Sequence, residues 1–396
     1  MRFLSFLTAG LLLAGCTQQP TQRQAPTIPA QPLPAPAPVA AVVPRFALAE
    51  ADTVPPYTTL EPYSWQGEQR VPVSPLVTIG GVNYRVEVSA VPDSTRLLRY
   101  TYPPEAGDVN LGDPAPGLDD RTVQGVEVTY TFRLLRPDGQ PLFTRRVLKS
   151  SLKKEMSDDL AACASAQQPA FLGYLPQFNA LAFELDLTPP DSDAGGNLLL
   201  LLDARTGQLR QQRLSRWTGG CNSPVAVSED GRTLLTSFDI IRADGRVASF
   251  DKPPLRVGGT LLVNNGSVLV TYLPAHDPQG NSTGTTSTRL LDLTGRPLAA
   301  FPLESLDGGL GYQMLATYLR QTHTYYLFDE QQQQIGLLPH DQPGALRLVK
   351  LNQLTKFQPP QRPTEVRFSV NTESGAQGAF YVDTLSRALR YRLTKP

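Results

Sequence analysis

Histidine, cysteine and methionine number three each in this chain of 396 residues, and tryptophan only two. That scarcity leaves little with which to assemble a metal centre. His276, His323 and His340 share no zinc spacing, and no His-Glu-x-x-His run occurs. No Gly-x-x-x-x-Gly-Lys-Ser/Thr phosphate loop is present either. A surplus of positive charge is also missing. Lys plus Arg equals Asp plus Glu at 36 each, so formal net charge is zero. Nucleic-acid binding, which needs a basic face, is disfavoured, as is electrostatic attachment to anionic lipid. No apolar run reaches the ~20 residues that a membrane-spanning helix requires. Proline (37) and glycine (31) are plentiful instead, which favours turns and short strands. A hydrophobic share of 40% suffices for a real core.

The first sixteen residues carry an address. Arg2 supplies a positive start, and Phe3 to Leu13 is apolar apart from Ser5, Thr8 and Gly10. This length suits a signal-peptide core. Leu13-Ala14-Gly15-Cys16 then resembles the lipobox of bacterial lipoproteins. The resemblance implies cleavage after residue 15, lipid on Cys16 and a membrane partner through that lipid. Thr17, rather than Asp, follows the cysteine. In the family's sorting logic that implies the outer membrane, facing the periplasm or the surface. Residues 16–56 then read as a tether. Pro20, Pro26, Pro29, Pro32, Pro34, Pro36, Pro38 and Pro44 fix φ and remove N–H donors, so polyproline II character without helix or sheet is expected.

Beyond residue 56 the pattern is all-β. Tyr84, Val86 and Val88 alternate with Arg85 and Glu87. Val126 to Phe132 alternates likewise and runs into the turn Pro137-Asp138-Gly139, which predicts a hairpin. One helix is expected near 152–163, with Ser151 as N-cap and Leu152, Met156, Leu160 and Cys163 on one face. Residues 57–164 therefore read as a small β-rich region with one helix.

Residues 165–396 are repetitive. Hydrophobic strands end on Asp203, Asp244, Asp292, Asp329 and Asp383, at separations of 41, 48, 37 and 54 residues. Four-stranded propeller blades are ~40–50 residues long. The segment thus resembles about five β-propeller blades, and Val225 to Arg232 is similar to an inner-strand turn of such proteins. A pair of β-sandwich domains is the alternative, since hairpins recur there too.

Candidate chemistry is sparse. Cys163 and Cys221 could form a disulfide outside the cytoplasm, or remain two buried thiols. Asp191-Ser192-Asp193 opens like a calcium loop, but Gly195 and Leu202 stand where further ligands belong. Asp119-Asp120 and Glu184/Asp186 are the acid pairs. Arg145, Arg146 and Lys149 are a basic cluster that reads better as a solvated face. Trp217, Tyr312, Tyr318, Tyr325 and Tyr326 could face a sugar or peptide. Asp52-Thr53-Val54 and Asp383-Thr384-Leu385 resemble the O-glycosylation acceptor of some Bacteroidota. The expected function is a non-enzymatic envelope lipoprotein, needing no cofactor and binding an envelope protein or glycan. A polysaccharide hydrolase with converging carboxylates is the alternative.

Overall fold

The computed structural model describes residues 50–394 apart from 61–73, 104–120, 190–194, 218–219, 253–254, 277–281, 284–285, 308–311 and 372–376. The signal segment, Cys16, Asp119-Asp120 and the Asp191/Asp193 turn lie outside the described residues. Strands make up 58% of what is described.

A leading sheet comes first. Its strands Leu76–Ile79, Val82–Thr101, Thr122–Leu135 and Pro141–Leu148 pair antiparallel in chain order. The alternation seen in the sequence sets its faces. Val86, Val128, Tyr130, Phe132 and Leu134 are buried, whereas Arg85 and Ser89 are exposed. The hairpin at Pro137-Asp138-Gly139 is present, with Gly139 at φ +83°.

The helix is shorter than expected and starts later. The α-helix spans only Asp158–Cys163, and Ser157 holds the N-cap position rather than Ser151. Ser157 is followed by Asp158 and Asp159, two acids that complement the positive helix start. Ser151 instead donates to the Leu148 carbonyl at 2.6 Å, closing a 3-10 turn over Lys149–Leu152. The apolar face survives the break, since Leu152, Met156 and Leu160 are all buried. The helix lies so close to the leading sheet that a Cβ on Gly125 would stand 2.1 Å from the Ala162 oxygen.

Five four-stranded blades follow. Blade 1 contains Ala170–Leu175, Ala180–Asp186, Gly196–Asp203 and Leu209–Trp217. Blade 2 contains Val225–Val227, Thr233–Leu235, Asp239–Arg242 and Val247–Ser249. Blade 3 contains Arg256–Asn264, Ser267–Leu273, Ser287–Asp292 and Pro297–Phe301. Blade 4 contains Ala316–Leu319, Thr324–Asp329, Gln334–Pro339 and Arg347–Lys350. Blade 5 contains Glu365–Asn371, Gln377–Asp383 and Leu389–Thr394, with Thr355–Lys356 added parallel as the outermost strand. The fold is therefore all-β and propeller-like, with a β-rich sheet and one helix ahead of the blades.

Each blade carries one of the five spaced aspartates, but not at one fixed place. Asp203, Asp244 and Asp292 sit at the turn between third and fourth strands. Asp329 and Asp383 sit one turn earlier, after the second strand. Their shared task is turn closure. Asp203 Oδ1 accepts from the N–H groups of Arg205 and Thr206, and Asp383 Oδ1 from those of Leu385 and Ser386.

Apolar cores join the sheets in chain order. One lies between the leading sheet and blade 1, and one between each successive pair of blades. Leu199 and Leu201 of blade 1 face blade 2, while Leu198, Leu200 and Leu202 face the leading sheet. Burial of both faces distinguishes this stack from paired sandwiches, where each sheet has one wet side. Gly207 (φ +70°) shows how tightly the leading sheet meets blade 1, since a Cβ there would lie 2.4 Å from the Phe143 ring. Among the described residues no apolar core joins blade 5 back to the leading sheet. Phe357 instead stacks on Tyr381 at 3.7 Å, and Arg390 lies over Phe357 at 4.9 Å.

Candidate functional site

Residues 50–60 form a strap across the inner edges of the blades. Residues 50–56 belong to the segment expected to be tether, yet here they make specific bonds. The Gln321 side chain donates to the Glu50 carbonyl at 2.8 Å, and the Arg320 N–H donates to the Asp52 carbonyl at 2.9 Å. Pro55 and Pro56 offer no N–H groups, and the chain bends at Pro56 and Tyr57. Thr58–Leu60 then pairs antiparallel with Val225–Val227 as a fifth strand on blade 2. Ala51 packs on the core between blades 4 and 5, Tyr57 on the two cores flanking blade 3, and Leu60 on the core between blades 1 and 2. Burial pushes the Tyr57 hydroxyl pKa up to about 12.

Between the strap and the inner strands of blades 4 and 5 lies a groove of about 810 Å³. Its walls include the consecutive runs Ala316-Thr317-Tyr318 and Arg367-Phe368-Ser369. Side chains of successive strand residues point to opposite faces, so consecutive lining residues mean that the strands present their edges. Tyr57, Tyr318 and Tyr325 supply aromatic surface, and the Tyr325 hydroxyl donates to the Val263 carbonyl at 3.2 Å. Burial raises the pKa of both Tyr318 and Tyr325. Among the described residues Glu50 is the one carboxylate lining the groove. Arg367 is exposed, and among the described residues it makes neither a hydrogen bond nor an ion pair.

A second groove, of about 340 Å³, lies on the outside where blade 1 meets blade 2. Glu155, Asp239 and Asp251 line it together with Arg213 and Phe238. Arg213 Nη1 is 2.6 Å from Glu155, and its Nε is 4.0 Å from Asp239. Burial pushes the Asp239 pKa up to about 6, against the lowering influence of Arg213 and Ser249, with Glu155 and Asp251 adding to the rise.

The other sequence candidates are dispersed. Cys163 and Cys221 are both free thiols, contrary to the disulfide reading. Cys163 ends the helix beside the leading sheet, whereas Cys221 is sealed in the core between blades 2 and 3. Lys149 is no part of a basic surface. It is fully buried and donates to the Ala164 carbonyl at 3.0 Å, and burial pulls its pKa down. The Glu184/Asp186 pair is consumed locally. Glu184 accepts from Ser215 at 3.0 Å and meets Arg216 at 3.2 Å, while Asp186 caps Thr188.

Tyr318 and Tyr325 reach the groove. Tyr326 packs instead against Phe368, Tyr312 bridges to Cys221, and Trp217 is half-buried near Gly220. His323 and His340 meet through one backbone bond of 2.9 Å, but among the described residues no group of three side chains is placed to hold a metal. Of the two glycosylation-like triplets, Thr53 lines the groove, and Thr384 donates to the Thr364 carbonyl at 3.0 Å.

Two features escaped sequence reasoning. One is Arg367, an ordinary exposed strand residue with no local signal. The other is the spelling Gly280-Asn281-Ser282-Thr283-Gly284, which matches Gly-x-Ser-x-Gly. A nucleophile elbow needs a strand-to-helix turn. Ser282–Thr283 pairs instead with Ala275–His276, and the next strand begins at Ser287.

No protein-family model matches the chain, and no curated protein matches it. Among solved structures the chain is similar to BamB from Moraxella catarrhalis, with TM-score 0.31, 11% identity and 67% of each chain covered. It is also similar to TolB from Acinetobacter baumannii, with TM-score 0.25, 11% identity, and 68% of this chain and 77% of that chain covered. A third is dihydro-heme d1 dehydrogenase NirN in complex with DHE, with TM-score 0.28, 12% identity, and 68% and 55% covered. Likeness at this level carries no functional argument, so the reading rests on this chain's own residues. No described helix is long and apolar enough to cross a membrane.

Proposed function

We propose that this chain is a lipid-anchored lipoprotein of the cell envelope, held at the outer membrane through Cys16, whose propeller-like domain binds a partner without catalysis. The observation that supports the binding reading most is the make-up of the central groove. Among the described residues it offers tyrosine surface, strand edges, one unengaged guanidinium and a single carboxylate. Carboxylate chemistry on a glycan needs two acids facing one bond. Six described acids elsewhere serve the fold: Asp203, Asp292 and Asp383 close turns, and Glu127, Glu184 and Glu365 are buried against partners. The address rests on Leu13-Ala14-Gly15-Cys16, and the partner on the same reading is an envelope protein or glycan rather than nucleic acid. Mass spectrometry of the mature wild type tests the anchor. Acylated Cys16 is expected, with Cys16→Ser releasing the protein from membranes, and an unmodified N-terminus overturns it.

The hydrolase reading draws on the outer groove, where Asp239, with its pKa near 6, stands beside Glu155. Arg213 weakens that reading, because it already holds Glu155 in an ion pair. A panel of glycans and peptidoglycan fragments decides. No turnover is expected, and turnover abolished by Asp239→Asn or Glu155→Gln replaces the binder with the hydrolase.

A further inference from the structure

The inner edges of the blades differ in one respect that bears on what the central groove can hold. On blade 2 the inner strand Val225–Val227 is covered by Thr58–Leu60, which adds antiparallel to it. On blade 5 the inner strand Glu365–Asn371 pairs with Gln377–Asp383 on one side only, and its other edge is unpaired among the described residues. The direction of its backbone groups follows from its own bonds. The Glu365 N–H donates to the Arg362 carbonyl, and the Glu365 carbonyl accepts from Gln361, so both groups of Glu365 point away from the neighbouring strand. Residues two apart on a strand repeat that direction. The N–H and C=O groups of Arg367 and Ser369 therefore face the groove, and both residues line it. Unpaired strand edges are templates for another extended chain. The fold already uses that mode once, at Thr58–Leu60.

The side chains add a charge preference. Arg367 brings a guanidinium without a counter-charge among the described residues, while Glu50 lies on the strap side of the groove. A volume of about 810 Å³ lies within the ~300–1,000 Å³ typical of ligand sites.

We propose that the central groove binds an extended acidic peptide segment of a partner protein. The segment adds as a strand to the Arg367–Ser369 edge of blade 5 and sets a carboxylate against Arg367. This rests on the binder reading and names the class of partner.

The test uses the full chain and three fluorescein-labelled octapeptides, Gly-Ser-Val-Thr-Xaa-Thr-Val-Ser, with Asp, Asn or Lys at Xaa. Fluorescence anisotropy is expected to rank them Asp, Asn, Lys, with at least a tenfold step between Asp and Asn. Arg367→Gln erases that step. Ser369→Pro removes an edge N–H and abolishes binding of all three, whereas Ser369→Ala leaves it intact. Should Ser369→Pro fail to fold, hydrogen exchange on wild type decides instead, with slowed exchange at the Arg367 and Ser369 amides when the Asp peptide saturates. No peptide binding, equal binding of all three, or binding without that protection overturns the proposal. Glycan turnover would overturn the binder reading by itself, and each result is obtained independently of the other.

Discussion

The two grooves solve the problem of charge in opposite ways. In the outer groove three carboxylates surround one guanidinium, and Arg213 is already engaged with Glu155. In the central groove one guanidinium stands uncommitted, among the described residues, beside tyrosines and strand edges. The outer groove is walled by strands of blades 1 and 2 and by the turn before the helix, so its charges are part of the fold. The central groove is walled on one side by the strap. The contrast teaches that a cluster of acids can mark structural compensation, whereas an unengaged charge beside free backbone groups marks capacity for a ligand.

The largest effect that would sharpen this contrast concerns the strap. Tyr57→Ala removes a ring packed on two inter-blade cores, and a loss of about 3 kcal/mol is expected in urea unfolding. Peptide binding in the central groove should weaken with it, while the outer groove is untouched. A loss below about 0.5 kcal/mol would mean that the strap is an ornament rather than a wall.

Next comes the guanidinium comparison. Arg213→Met strips the compensation from Glu155 and Asp239 and is expected to lose about 2 kcal/mol, reduced from the buried-pair range because Arg213 is partly exposed. Arg367→Met should change stability by no more than ~0.5 kcal/mol. Equal losses at the two positions would break the distinction.

The smallest effect is a slope. Asp239 has a raised pKa, so the folded state holds a proton that the unfolded state has released between pH ~4 and 6. Stability from this group is therefore present below pH ~4 and is lost as pH rises through about 6. Wild type minus Asp239→Asn should fall across that window by up to about 2 kcal/mol, measured as urea midpoints at fixed pH. Asp244 and Asp383 work in the opposite direction. Hydrogen bonds from Arg246 to Asp244, and from the Ser386 N–H to Asp383, hold both at about 2. Their contribution is present above pH ~4 and fades as pH falls through 2. A difference curve flat between pH 4 and 6 would show that Asp239 is not desolvated.

Much of the fold was legible because its signals are local. Strand alternation at residues 84–88 and 126–132 needs only neighbouring residues to be read. So does the aspartate that closes one turn per blade, although which turn it closes depends on how many strands precede it. The apolar set Leu152, Met156 and Leu160 was found for the same reason. The helix around it was misjudged because periodicity reports a buried face and not hydrogen-bond continuity. The central groove was almost wholly illegible. Residues 50–57 carry the composition of a linker, and their partners Arg320 and Gln321 are about 270 positions away. Tyr318 and Tyr325 stood among the aromatic candidates. Arg367 could not, because its meaning comes from an unpaired edge that only the sheet order reveals.

The strap also has a consequence for the order of assembly. It precedes every blade in the chain, yet its hydrogen-bonding partners lie in blade 2 and in the turn of blade 4. Contacts between blades join segments near in sequence and close short loops, while the strap closes loops of well over a hundred residues. Loop-closure entropy therefore predicts that the first part of the domain to be synthesised docks late. Until it does, four of the five cores lack a residue that completes them, and the inner edge of blade 2 stays open.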